Sequence, residues 1–327
     1  MTDASLKAVD ERQDGVAEEL ATRPKIIGAR VKRTEDPRLL TGKGAYVDDR
    51  KVAGMLHVAF RRSDHSHALI KSIDVSAARQ AAGVVAVLTA EDMSEINAVF
   101  ATSRMRDYHT TPITALASKK VRYVGEPIVG VVAKSRYLAE DALELIEVEF
   151  EPLPVVIDPE TACLPSAAVL HDDAGTNVLC FREFKTGDAD AAIASAPIRV
   201  SGRFRFYRKT PVAMENRTYL AEYEVGRDEL TLYTSSQVPG IIRDALSDAL
   251  DMPGSQLRVI APDVGGGFGG KASLYPEEIF VAVAARRLGC AVKWTSDRME
   301  DLAATSQGFD QIVNAELALD ANGNAVA

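Results

Sequence analysis

A glycine-rich segment at residues 262–271, with the sequence PDVGGGFGGK, constrains this chain more than any other feature. It follows the apolar run Leu257–Ile260 and precedes Pro276, where proline and two acidic residues fit the start of a helix. Glycine lacks a Cβ atom, so it adopts positive φ and lets backbone N–H groups approach a ligand. The segment therefore predicts a structured loop whose amides hold an anionic or oxo group, with a flexible connector as the alternative.

Two nucleotide-binding patterns overlap this loop but fit it poorly. Gly265, Gly267 and Gly270 satisfy the dinucleotide fingerprint G-x-G-x-x-G, but that fingerprint opens its helix at once, and here the helix is expected only at Pro276. The phosphate-binding P-loop pattern fails at Ala272, where a hydroxyl is needed for Mg²⁺. A nucleotide-binding oxidoreductase stays open as an alternative.

Composition indicates a protein of two domains. The chain has 327 residues, of which 46% are hydrophobic and 26% are charged. Its net charge of -9 and the lack of a basic stripe argue against nucleic acid as a partner. The N-terminal sequence lacks the apolar core of a secretory signal, and no apolar run is long enough for a membrane span. The expected location is the cytoplasm.

Cysteine usage agrees with a reducing compartment. Cys163, Cys180 and Cys290 are too few and too widely spaced for a disulfide framework or a metal site. They cannot hold an iron–sulfur centre, so we expect any such centre to lie on a partner.

Hydrophobic periodicity predicts a mixture of short strands and helices. The predicted strands are Met55–Ala59, Pro127–Ala133, Leu145–Phe150, Val200–Arg208, Thr218–Val225, Glu229–Thr234, Leu257–Ile260 and Val292–Thr295. The predicted helices are Ala77–Gln80, Ala139–Glu144, Ala189–Ala194, Gly240–Leu250 and Pro276–Leu288. The sequence Asp320-Ala321-Asn322-Gly323 predicts a hairpin turn after an alternating strand.

Several ordered motifs resemble the large subunit of the molybdenum hydroxylases, the family of xanthine dehydrogenase, aldehyde oxidase and aerobic carbon monoxide dehydrogenase. The motifs are Ile27–Asp49, Met55–His67, Tyr123–Ala133, Ala139–Pro154, Val212–Tyr223, Thr234–Pro239 and Ile260–Lys271. The resemblance implies an α+β fold, with an α/β hammerhead domain followed by an incomplete molybdopterin-binding domain. The expected division is a mobile tail at 1–24, the hammerhead domain at 25–158, a linker at 159–186 and the truncated molybdopterin-binding domain at 187–327.

The same resemblance implies a function. The chain is expected to be part of a large subunit that oxidises an aldehyde, carbon monoxide or an N-heterocycle with water as the oxygen source. The implied cofactor is molybdenum–molybdopterin, in the cytosine dinucleotide form, with no protein side chain as a metal ligand. Iron–sulfur and FAD groups are expected on a small and a medium partner subunit.

The family's general-base glutamate and later pterin-binding segments lie downstream of the glycine loop. We therefore expect a fragment or one half of a split subunit, inactive without the downstream half. A non-catalytic assembly subunit is the alternative.

Six residues are candidates for the site, all through the resemblance. Gln237 matches the family glutamine that hydrogen-bonds an oxygen ligand of molybdenum, and an amide suits this role because it is uncharged. Gly266, Gly267, Phe268 and Gly269 match the loop that contacts the cofactor. The alternatives are a strand-end amide that caps a backbone group for Gln237, and an ordinary core aromatic for Phe268.

The sixth candidate is Ala272, in the expected substrate pocket. It occupies the position where the purine-oxidising branch has an acidic residue, which argues against xanthine as substrate. Two charged features have structural interpretations. Glu215 is expected to order a local turn with Arg217, and the charged cluster at residues 297–300 is expected to be a solvated face.

Overall fold

The structure is a computed structural model that describes residues 27–101, 103 and 105–327. The predicted tail at 1–24 lies outside the described residues. The chain divides into two units, residues 1–44 and 45–327. In the first unit, helix α1 (Asp36–Leu40) has Pro37 in its first turn, and the Thr41 hydroxyl donates to the Pro37 carbonyl at 2.7 Å.

The second unit contains the strands and the longer helices. The described strands are β1 (Leu56–Arg62), β2 (Ala68–Asp74), β3 (Val84–Leu88), β4 (Val99–Ala101), β5 (Thr111–Ile113), β6 (Lys120–Val121), β7 (Pro127–Ala133), β8 (Glu147–Pro152), β9 (Ile198–Phe206), β10 (Thr218–Glu224), β11 (Glu229–Thr234), β12 (Leu257–Ile260), β13 (Val292–Thr295) and β14 (Gln311–Leu319). The described α-helices are α2 (Ser76–Gln80), α3 (Arg136–Leu143), α4 (Pro159–Ala162), α5 (Ala189–Ser195), α6 (Pro239–Leu250), α7 (Pro276–Leu288) and α8 (Arg298–Ala304).

Seven strands form the main sheet, in the order β12-β11-β10-β13-β1-β7-β3. The pairs β1–β13 and β11–β12 are parallel, and the other four pairs are antiparallel. Strand β7 is buried along its whole length, as its uncharged sequence PIVGVVA requires. The sheet joins strands from residues 56–133 with strands from residues 218–295. The domain boundaries expected from the sequence stay a prediction.

Helix α7 packs against β10 and β13 and contributes much of the main core. Its Phe280 ring lies over Gly130 of β7, where a Cβ atom would be only 2.2 Å from the ring. Phe60 meets Phe280 edge to face at 4.9 Å and Trp294 at 5.8 Å. Gly130 is therefore a position of close approach, and a larger residue there would displace α7 from the sheet.

A smaller sheet, in the order β6-β2-β8, lies in the residues assigned to the hammerhead region. Helix α3 is capped by Ser135, whose hydroxyl accepts from the Leu138 amide. Its buried residues Ala139 and Ala142 join a second core with Val129 and Val131 of β7. Strand β7 therefore separates two cores.

Strands β9 and β14 form a separate antiparallel ribbon, with nine residues in each strand. The predicted turn follows β14 and is confirmed. Asp320 accepts from the amides of Asn322 and Asn324, and Gly323 has φ of 83°. The described part of the chain is α+β, as expected from the sequence.

Candidate functional site

The glycine loop connects β12 to α7, and it is ordered by contacts that come from three other parts of the chain. Gly266 and Gly269 have φ of 99° and 92°, which are conformations that favour glycine. Helix α7 begins at Pro276, and Gly289 with φ of 64° ends it. The delay between the loop and the helix start, predicted from the sequence, is confirmed.

Glu215 braces both ends of the loop. Its Oε2 atom accepts from the Gly265 amide and from Lys271 Nζ, each at 2.7 Å, and the Gly265 carbonyl accepts from the Glu215 amide at 3.1 Å. The Lys271 side chain is only 3% exposed, and burial lowers its pKa while the Glu215 carboxylate opposes that shift. The expected partnership of Glu215 with Arg217 was wrong, because the carboxylate is turned to the loop instead.

Gln237 contacts the loop through its side-chain oxygen. Oε1 accepts from the amides of Gly269 at 3.0 Å and Lys271 at 3.3 Å, and the Gln237 amide donates to the Lys271 carbonyl at 2.8 Å. Gly267 lies directly beside this side chain, since a Cβ atom there would be 2.4 Å from Oε1. Because two N–H donors fix the oxygen, the Nε2 donor is directed away from the loop. Within the described residues, Nε2 has no acceptor.

The loop amides fall into two groups. Those of Gly265, Gly269, Gly270, Lys271 and Ala272 donate within the chain, whereas those of Gly266, Gly267 and Phe268 have no acceptor among the described residues. Consecutive N–H groups in a segment of alternating backbone conformation form a concavity that binds oxygen or an anion. The contacts to Glu215 and Gln237 and the turns within the loop therefore leave the three successive amides of residues 266–268 free to bind a ligand.

Phe268 lies at the tip of the loop in a strained conformation. Its φ is 50°, in the left-handed region that disfavours residues with a Cβ atom, and its side chain is 77% exposed. The alternative of a core aromatic is therefore wrong for this chain. Strain of this kind is a feature of ligand-binding segments. Ala272 is also exposed, and its amide donates to the Gly269 carbonyl at 3.3 Å.

A buried ionic network lies behind the loop, and no sequence pattern had indicated it. Arg217 is fully buried and contacts Glu277 at 3.0 Å, Asp301 at 3.3 Å and the Thr305 hydroxyl at 2.9 Å. Arg62 reaches the other oxygen of Glu277 at 2.7 Å. Burial opposes the ionisation of Glu277, but the two guanidinium groups outweigh it and hold its pKa at about 2. The first turn of α7 thus carries a permanent buried charge.

Tyr275 links this network to the loop. Its hydroxyl donates to the Gly270 carbonyl and accepts from the Ser306 amide at 3.0 Å, while the Arg217 guanidinium lies 4.1 Å from the ring centroid. The loop is therefore held at both ends by Glu215, and its second half is also held by Gln237 and Tyr275. Glu215 lies at least 50 residues from its loop partners and Tyr275 lies 31 residues from Ser306, so no local pattern could identify these contacts.

Glu278 has the opposite electrostatic situation to its neighbour Glu277. It is fully buried and accepts from the Thr234 hydroxyl at 2.6 Å and from the Tyr275 amide at 2.9 Å. Burial raises its pKa to about 7, although the two hydrogen bonds oppose the shift. The hydrogen bond that the Tyr275 amide donates to Glu278 completes a capping arrangement at the start of α7.

The charged cluster at residues 297–300 is only partly the solvated face that was expected, because Asp297 is exposed whereas Glu300 is mostly buried. Asp297 caps helix α8 by accepting from the Glu300 amide at 2.7 Å. The Glu300 side chain is only 17% exposed and pairs with Arg62 at 2.6 Å. A cluster of charges after a strand can thus be a helix cap and a buried ion pair.

Three other features of the described residues do not contribute to the candidate site. A cavity of about 1070 Å³ borders the exit of the loop at Ser273 and Tyr275, but its lining includes neither Gln237 nor residues 266–269. Among the described residues there is no group of three His, Cys, Asp or Glu side chains that could hold a metal ion. No helix in the described part of the chain is long and apolar enough to cross a membrane.

Two family models match the chain. The model of the molybdopterin cofactor-binding domain matches residues 170–327. The model of the aldehyde oxidase and xanthine dehydrogenase a/b hammerhead domain matches residues 41–154. Together they span most of the sequence.

Several known proteins resemble the chain over nearly its whole length. The carbon monoxide dehydrogenase large chain of Afipia carboxidovorans is 39% identical, over 92% of this chain and 38% of the relative. The nicotine 6-hydroxylase large subunit of Paenarthrobacter nicotinovorans is 42% identical, over 91% of this chain and 36% of the relative. The crystal structure of quinoline 2-oxidoreductase from Pseudomonas putida 86 is 39% identical with a TM-score of 0.87, over 93% of this chain and 38% of that chain.

The chain therefore belongs to the family of xanthine dehydrogenase, aldehyde oxidase and carbon monoxide dehydrogenase, and it corresponds to an N-terminal part of the molybdopterin-binding large subunit. It spans less than two fifths of the length of these relatives.

Proposed function

We propose that this chain forms one wall of a molybdenum–molybdopterin site in a molybdenum hydroxylase. The observation that supports this function is the set of unused donors at the loop, namely the amides of residues 266–268 and the Nε2 atom of Gln237. These donors lie on and beside a loop whose shape is fixed by other contacts. They suit a group that carries oxygen atoms and accepts hydrogen bonds.

The residues present fit a molybdenum–molybdopterin cofactor, and the resemblance implies its cytosine dinucleotide form. Gly266, Gly267, Phe268 and Gly269 would hold it through their backbone, and Gln237 would donate to one of its oxygen atoms. When bound, the cofactor would take up the two electrons removed from the substrate and pass them to iron–sulfur and FAD groups on partner subunits. The donors are preorganised, so they stabilise charge on an oxygen without rearranging.

Phe268 and Ala272 have expected roles beside that wall. The exposed Phe268 ring would exclude water from the hydrogen bonds at the loop once the site is enclosed, which strengthens them. Ala272 would line the substrate pocket with a methyl group, which favours an aldehyde, carbon monoxide or an N-heterocycle over xanthine. Of the relatives described above, one is named for carbon monoxide and one for nicotine.

We further infer the setting of the protein. It would work in the cytoplasm with the remaining part of the large subunit, an iron–sulfur small subunit and an FAD-binding medium subunit. The division into a hammerhead region at 25–158, a linker at 159–186 and a molybdopterin-binding region at 187–327 belongs to the same proposal. Oxidation would use water as the oxygen source.

The test uses a complementing polypeptide, defined as the part of the Afipia carboxidovorans large chain that lies outside the 38% aligned with this chain. The chain is co-expressed with this polypeptide and with the small and medium subunits, and molybdenum is measured in the purified assembly. Gly267→Ala should lose most of the molybdenum, because its methyl group would collide with Gln237. Gly240→Ala is the matched control, since a Cβ atom at Gly240 meets nothing within 4 Å.

Oxidation of a small aldehyde, carbon monoxide and quinoline is then assayed in the same assembly. Molybdenum together with turnover of one of these compounds supports the proposal. An intact assembly without molybdenum contradicts it and favours the non-catalytic assembly subunit. Stoichiometric nucleotide bound at the loop of an assembly that holds no molybdenum would favour the nucleotide-binding oxidoreductase.

A further inference from the structure

The ribbon of β9 and β14 has two faces of different character. Along β9, the residues at alternate positions are Ile198, Val200, Gly202, Phe204 and Phe206, and the residues between them are Arg199, Ser201, Arg203 and Arg205. Alternate residues of a strand point to opposite faces, and directly paired residues share a face. Leu317 pairs with Val200 and Val313 pairs with Phe204, so both strands contribute to one apolar face.

The other face makes ion pairs with another segment of the chain. Arg203 pairs with Glu160, and Arg205 contacts Asp158 at 3.3 Å, so these arginines join the ribbon to the segment around α4. The apolar face has no such cover. Val200 is 56% exposed, Phe204 54% and Leu317 45%. A contiguous apolar surface of this kind marks an interaction site.

The ribbon also lacks a larger sheet to support it. In the described part of the chain it has two strands, and beyond them β14 makes only an isolated bridge from Leu319 to Ala325. Two-stranded ribbons are marginally stable in water unless one face packs on another structure. Here two arginines of the polar face form ion pairs within the chain, whereas the apolar face is left for a partner.

We propose that the apolar face of the ribbon docks the remaining part of the large subunit. This partner follows from the relatives, in which the matched region is 38% of a longer large chain. The apolar character fits a permanent interface within one subunit, since such interfaces resemble a divided core. The proposal rests on the proposed function only in its choice of partner.

The experiment compares substitutions on the two faces of β14. The chain is co-expressed with the complementing polypeptide, and the recovered complex is quantified by size-exclusion chromatography with light scattering. Leu317→Asp places a carboxylate on the apolar face and should lower recovery roughly tenfold or more, as loss of an interface anchor does. Asn314→Asp introduces the same carboxylate on the opposite face of the same strand, next to Arg203, and should leave recovery unchanged.

A second variant distinguishes loss of the interface from misfolding of the chain. Leu317→Thr keeps a residue that favours strands but removes most of the apolar surface, and it should also lower recovery. The isolated Leu317→Thr chain should have the thermal unfolding midpoint of the native chain, because Leu317 is already exposed.

Three results would overturn the docking surface. The first is recovery of the Leu317→Asp complex at the native level, and the second is failure of the native chain to associate with the complementing polypeptide. The third is a homodimer of the native chain that Leu317→Asp dissolves, which would assign the face to a second copy. A face-dependent complex without molybdenum would leave the surface intact and defeat the proposed function, so the two failures are distinguishable.

Discussion

The two ends of the Gln237 side chain have different surroundings, and substitution can separate them. Its oxygen orders the loop, whereas its Nε2 donor is unused within the described residues. Gln237→Glu retains an oxygen for the loop amides but loses the outward donor. In the assembled enzyme, we expect this variant to turn over roughly ten- to a thousand-fold more slowly with nearly normal molybdenum content, as for the loss of one preorganised donor.

Gln237→Ala provides the contrast, because it removes both ends. The amides of Gly269 and Lys271 should then exchange hydrogen faster in the isolated chain, and the assembly should lose molybdenum as well as activity. Hydrogen exchange and elemental analysis report these two effects independently of turnover. Native turnover in the Gln237→Glu assembly would mean that the glutamine only orders the loop.

Phe268 gives a stability prediction for the isolated chain. A residue with a Cβ atom in the left-handed region costs about 1–2 kcal/mol, and glycine removes that cost while adding entropy to the unfolded chain. Phe268→Gly should therefore leave the free energy of unfolding unchanged or raise it by up to about 1 kcal/mol. The control is Phe181→Gly, because Phe181 is similarly exposed, at 76%, but is not among the residues with positive φ.

Denaturant unfolding measures both variants. The control should be destabilised by roughly 0.5–1 kcal/mol, which is the entropic cost of glycine without relief of strain. A larger loss for Phe268→Gly than for Phe181→Gly would show that the ring at the loop tip stabilises the folded chain.

At the scale of elements, the first turn of α7 shifts the pKa values of two adjacent glutamates in opposite directions. Glu278 has a pKa of about 7 in the folded chain, against 4.5 as its ordinary value. The folded state therefore binds this proton more tightly than the unfolded state does. Its contribution to the free energy of unfolding is fully present below pH 4.5 and decreases as the pH rises to about 7. Above that pH, the contribution no longer changes.

Glu278→Gln should remove this penalty. The amide can accept from the Tyr275 amide and donate to the Thr234 hydroxyl, so both native contacts have a counterpart. We expect the variant to be more stable than the native chain by roughly 1–3 kcal/mol at pH 8, with little difference at pH 4. Denaturant unfolding at several pH values checks this. A stability difference that does not change with pH would contradict it.

The elements differ in how well the sequence predicts them, for a physical reason. The bounds of β7, β11, β12, β13 and α7 were all predicted as the structure has them, because each has a clear apolar pattern, continuous in β7 and alternating in β11, and clear terminal signals. Strand β2 was missed, since its sequence ALIKSID is exposed at Lys71 and Ser72 and loses the alternation. Helix α8 was missed because its charges, which are partly buried, suggest a surface segment.

The site shows the same limit more sharply. The glycine loop could be predicted because its signal lies within ten consecutive residues. The contacts of Glu215 with the loop could not be predicted, because Glu215 is about fifty residues from it in sequence. The packing of β10 against α7 brings the two together. Similarly, Arg217, Glu277 and Asp301 come together only in the folded chain.

At the scale of the whole molecule, the donors at the loop form a wall and not an enclosure. Phe268 is 77% exposed, and Gln237 and Ala272 are also exposed. Hydrogen bonds open to water contribute little net free energy, because water competes for both partners. We therefore expect the purified 327-residue chain to hold far less than one molybdenum per chain and to show no hydroxylation. The assembly with the complementing polypeptide should hold molybdenum and hydroxylate its substrate. Elemental analysis of both preparations, expressed in the same host, provides the comparison, and near-stoichiometric molybdenum in the chain alone would show that this wall binds the cofactor unaided.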